Sequence, residues 1–182
     1  MQNLTHEMCH LKAYQSLAVF SGTGEKKLIT DRRAGFFIQL RNIEDRRKPS
    51  GQYVFSDLNE AVIDILANQS LKNILASDSL PEKLLPLRKK YEAHADEVFE
   101  HSYAAYKLRF WDLLTGIYKT HKDQFKSPEE VFNVFAESIF KKEKFLEVAK
   151  LIESSFGKGS FRIVGERGLP ESKWEKGLDN ES

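Results

Sequence analysis

The chain has 182 residues, 28 basic and 27 acidic, and a formal net charge of +1. That length suits one domain with a real core, and a near-neutral balance gives no global pull toward nucleic acid or an anionic membrane, so any such binding must come from a local patch. The single cysteine, Cys9, rules out an internal disulfide and suits a reducing compartment.

The 13 Phe, 6 Tyr and 2 Trp supply most of the large apolar surface and read as core. No apolar run is long enough to span a bilayer, and His6, Glu7, His10 and Lys12 near the start are unlike a signal peptide. The sequence therefore reads as a cytoplasmic protein without a membrane segment.

From Leu4 to Phe20 the apolar positions fit a helix better than a strand, ending at Ser21-Gly22-Thr23-Gly24. Within it His6 and His10 stand four apart, a spacing that can grip one metal on a helix. The sequence identifies no third ligand, Glu7 projects elsewhere, and an amphipathic helix explains the pair, so neither a metal site nor a cofactor is expected. A second helix is expected from about Asp31 to Arg47, with Phe36, Phe37, Leu40 and Ile43 inward. On this reading Arg32, Arg33, Arg41, Arg46 and Arg47 share a surface that can track phosphates or form salt bridges with Asp31, Glu44 and Asp45.

Ser56 can cap a helix through Leu58, Val62, Ile65 and Leu66 toward Leu75, followed by a turn at Ser77-Asp78-Ser79. Pro81-Glu82 starts a further helix, straight or bent, toward Lys122. Ser127-Pro128-Glu129-Glu130 is the clearest helix start, predicting a helix to Ser155 that Gly157 terminates. Phe161-Arg162-Ile163-Val164 reads as a short strand or extended arm. The expectation is an all-α antiparallel helical bundle over residues 1–156, with an irregular, extended or partly disordered tail over 157–182.

One stretch names a family. In Leu87-Arg88-Lys89-Lys90-Tyr91-Glu92-Ala93-His94, five residues separate Arg88 from His94. This resembles the signature of the HEPN superfamily, and most of all its abortive-infection subgroup. The resemblance implies a helical bundle, often dimeric, and a metal-independent endoribonuclease of a defence or toxin–antitoxin module. Arg88 and His94 are then the catalytic candidates: a histidine titrating near neutrality moves a proton, and a guanidinium stabilises charge on phosphorus oxygens. Lys89, Lys90, Tyr91, Arg32, Arg33 and Arg41 are the RNA-binding candidates. The alternative is a non-catalytic helical interaction protein or adaptor, with an apolar patch or the C-terminal tail meeting a protein partner.

Overall fold

The structure is a computed structural model, and it describes residues 2–21, 28–42, 52–86, 88–89 and 104–169. It is mostly helical, but an antiparallel sheet is folded into it, so an all-α bundle gives only the coarser half of the architecture. Helix α1 (Gln2–Lys12) leads into strands β1 (Gln15–Ser21), β2 (Leu28–Ala34), β3 (Phe37–Asn42) and β4 (Gln52–Val54). Helices α2 (Ser56–Ala76), α3 (Ala104–Thr120), α4 (Pro128–Phe140), α5 (Phe145–Phe156) and α6 (Ser160–Arg167) follow. Among the described residues, no helix is long and apolar enough to cross a membrane.

Residues 4–20, expected as one helix, are helical only to Lys12, after which the chain turns into β1. Residues 31–47, expected as a second helix, differ as well. Over residues 31–42, the described part of that span, the chain forms the β2–β3 hairpin instead of an arginine-rich helix, with Ala34 opposite Phe37 and a two-residue loop at Gly35-Phe36. Gly35 has φ +62°, a conformation in which glycine carries no steric cost. A side chain there would also meet Asn59, whose Oδ1 lies 2.8 Å from an ideal Cβ position. β-Branched and aromatic residues in Leu28-Ile29-Thr30 and Phe37-Ile38 suit the pleat. The four strands form a meander in the order β1-β2-β3-β4.

The hairpin is anchored in the helical core. Phe36 is fully buried against Phe135 and Phe145. Its backbone N–H donates to Asn59 Oδ1 at 3.0 Å, Gly35 N–H donates to the Tyr14 carbonyl, and Tyr14 N–H donates to the Ile139 carbonyl. These bonds fix the sheet to α2 and α4 and satisfy backbone groups that burial would otherwise leave unpaired.

Helix α2 runs through the centre, as the periodicity from Leu58 to Leu75 predicts. Its buried residues, Leu58, Ala61, Val62, Ile63, Ile65 and Ala67 among them, cover more than one face because neighbours pack around it. Ahead of it Phe55 has φ 60°, a left-handed position unusual for a bulky side chain. Phe55 N–H donates to the Gly165 carbonyl, and its ring stacks on Phe161 with centroids 4.5 Å apart.

Helix α4 starts as expected, with Ser127 at the cap and Pro128 in the first turn. The predicted single helix to Ser155 is two helices. Lys141 is extended, a 3₁₀ turn spans Lys142–Lys144, and α5 restarts at Phe145 and ends at Gly157. The break lets Phe135, Ile139, Val148 and Ile152 all reach one core. Phe161–Val164, expected as a strand or arm, lies in helix α6 and buries Val164, and Leu169 beyond it is also buried. The remaining tail, residues 170–182, lies outside the described residues.

Candidate metal centre

The inner face of α1 carries His6 and Cys9, with His10 beside them and the buried Ala13 just beyond the helix end. The outer face presents Leu4, Met8 and Leu11, all exposed. Opposite the inner face, α2 presents Glu60 and Asp64, also four residues apart. The two i, i+4 pairs oppose each other across the α1–α2 contact: Glu60 faces both histidines, and Asp64 faces His6.

The geometry is convergent. His6 Nε2 and His10 Nε2 lie 2.9 Å apart, His6 Nε2 is 3.3 Å from Glu60 Oε2, and His10 Nε2 is 3.5 Å from Glu60 Oε1. One donor atom from each of the three residues falls within 4.8 Å of the other two. A tetrahedral zinc ion with bonds of about 2.0–2.1 Å needs donors roughly 3.3–3.4 Å apart. The set fits such an ion with small adjustments, and two imidazoles with one carboxylate leave a fourth position open.

Behind these donors, His6 Nδ1 is 3.7 Å from Asp64 Oδ1. Asp64 is nearly fully buried, and its other oxygen, Oδ2, accepts from Lys107 Nζ at 3.0 Å and from Asn68 Nδ2 at 3.3 Å. A carboxylate on the far nitrogen of a ligating histidine fixes which nitrogen carries the proton and turns the other toward a metal.

The charges match this arrangement. The Asp64 carboxylate and then that of Glu60 raise His6 to about 9, against the opposing effect of burial. Burial pushes Glu60 up, but hydrogen bonding to His10 and His6 outweighs it and holds the carboxyl at about 2. Burial likewise works against Asp64, and contacts with His6 and Lys107 bring its carboxyl below the ordinary value. Without metal, then, a proton on His6 and the Lys107 ammonium together offset the two carboxylates, and a divalent cation would displace the proton.

The donor missing from the sequence analysis is Glu60, fifty residues beyond His10 and brought back by the meander and α2. A local signal was present as well. His6-Glu7-Met8-Cys9-His10 has the His-Glu-x-x-His spacing, in which the two histidines hold zinc and the glutamate serves as general base. Glu7 is exposed, one helical turn before His10 and off the buried face.

The candidates named for RNA chemistry fall only partly within the described residues. Arg88 is half-buried and Lys89 exposed in a helical stretch after the 3₁₀ turn Glu82–Leu84, while Lys90, Tyr91 and His94 lie outside the described residues. Arg32 and Arg33 lie on β2 opposite Gln39 and Ile38, and Arg41 lies on β3 opposite Thr30. These positions lie on two paired strands and not on one helix, so the helical surface expected for them is not what the chain forms there. The Arg33 guanidinium packs inward, 4.0 Å from the Phe145 ring centre, and its Nε–H donates to the Gly35 carbonyl.

No family model, no curated protein and no solved structure matches the chain.

Proposed function

We propose that the chain carries the metal centre of a zinc-dependent hydrolase, and that it acts on amide bonds. The observation that carries this reading is the convergence of His6, His10 and Glu60, with Asp64 behind His6; Glu7 enters through the His-Glu-x-x-His spacing alone. His6, His10 and Glu60 would hold the zinc, which would polarise a carbonyl and lower the pKa of a bound water toward neutrality. In this scheme Glu7, exposed next to His6 in sequence, would accept the proton of the attacking water and pass it to the leaving nitrogen. Asp64 keeps the His6 Nδ1–H oriented while Nε2 serves as ligand. A two-histidine, one-carboxylate set can also hold iron(II), and the glutamate next to His6 favours hydrolysis over oxygen chemistry.

The test is metal content and cleavage on the same sample. Zinc bound at one equivalent, with peptide hydrolysis that stops on chelation and on Glu7→Gln, supports the reading. Iron at the site overturns the choice of metal, and bound zinc without hydrolysis favours the interaction-protein alternative. The HEPN-like proposal stands on Leu87 to His94 and predicts the opposite pattern: RNA cleavage that survives chelation and is lost in His94→Ala.

A further inference from the structure

We infer that Lys107 is a positioning residue of the metal centre, acting on the ligand His6 through Asp64. This rests on the metal reading above and adds a third helix to the site. Asp64 divides its two oxygens: Oδ2 receives the Lys107 ammonium and the Asn68 amide, and Oδ1 faces His6 Nδ1. Lys107 comes from α3 and its side chain is only 16% exposed, so its salt bridge is shielded from water.

This division has a geometric consequence. A carboxylate free to rotate about its last torsion can offer either oxygen to the imidazole and can follow the imidazole as it moves. With Oδ2 tied to two donors on different elements, Oδ1 stays in place and holds the His6 ring with Nε2 toward His10 and Glu60. Losing the ammonium leaves a carboxylate that is almost completely buried without its cation, a state relieved by swinging toward solvent or by taking up a proton. Either response removes the acceptor behind His6. Among the described residues, Asp64 meets His6 from α1, Asn68 from its own helix and Lys107 from α3.

The experiment measures zinc affinity by competition with a chromophoric chelator, together with the visible spectrum of the cobalt(II)-substituted protein. The proteins compared are wild type, Lys107→Met, Lys107→Arg, Asp64→Asn and the Asp64→Asn/Lys107→Met double variant. Lys107→Met should weaken zinc about 10- to 100-fold and shift the cobalt bands, and Lys107→Arg should restore both. In the Asp64→Asn background Lys107→Met should add little, because its route to the metal is already cut. An unchanged or tighter Lys107→Met site, or losses that simply add in the double variant, overturns the inference. If Lys107→Met fails to fold, the Asp64→Asn and Lys107→Arg proteins still decide it: a wild-type cobalt spectrum in Asp64→Asn contradicts the relay. Wild type that binds no zinc overturns the metal reading itself, an outcome distinct from intact binding that ignores Lys107.

Discussion

His6 Nε2 and His10 Nε2 lie 2.9 Å apart with the two oxygens of Glu60 spread across them, one toward each ring. Two imidazole nitrogens at that separation must share a proton or a cation, since two bare lone pairs would repel. The pair therefore links metal binding to stability. Zinc at a thousandfold excess over its dissociation constant should stabilise the chelated protein by about 4 kcal/mol. Calorimetric melting curves with and without zinc should show the shift in wild type and none in His10→Ala.

The metal-free protein should have a pH optimum set by the same residues. His6 is raised from 6.5 to about 9, so its contribution is complete below 6.5 and is lost as pH rises through 9. Glu60 is lowered from 4.5 to about 2, so its contribution is complete above 4.5 and is lost as pH falls through 2. Urea midpoints of chelated protein should be highest between about 4.5 and 6.5 and fall on both sides. His6→Gln should flatten the alkaline decline and leave much of the acidic one.

On the proposed reading, Glu7 would separate holding the metal from using it. Glu7→Gln keeps the size of the side chain and removes its basicity, so zinc content should match wild type while kcat falls about 10²- to 10⁴-fold. Equal turnover in the variant contradicts the role given to Glu7.

The hairpin anchor is testable through stability alone. Asn59→Ala leaves the buried Phe36 N–H without its acceptor, a loss of about 1–3 kcal/mol in a denaturant titration. Because Asn59 precedes Glu60 on α2, the variant should also loosen zinc binding. A change of less than about 0.5 kcal/mol would mean that the hairpin is held by packing rather than by this bond.

The helices with strong local signals were legible. Ser127-Pro128 marked the start of α4, Gly157 the end of α5, and the spacing from Leu58 to Leu75 the span of α2. The hairpin was missed because Phe36, Phe37, Leu40 and Ile43 also satisfy a helical period. Gly35 was the discriminating residue, at the one turn position where a positive φ is needed. The break at Lys141 carries no Gly or Pro and follows from tertiary packing. The four-residue spacing of His6 and His10 is visible in the sequence but reads there as an ordinary amphipathic helix with no metal, because Glu60 and Asp64 reach the pair only through the fold and Lys107 joins from a third helix.

The central claim is that His6, His10 and Glu60 bind one zinc ion together. Equilibrium dialysis of chelator-treated protein against zinc tests it most directly, using wild type and a Glu60→Gln variant of matched helical content. One equivalent bound by wild type, with affinity at least about 100-fold weaker in Glu60→Gln, is the predicted result. Equal binding by the two proteins, or no binding by wild type, would contradict it.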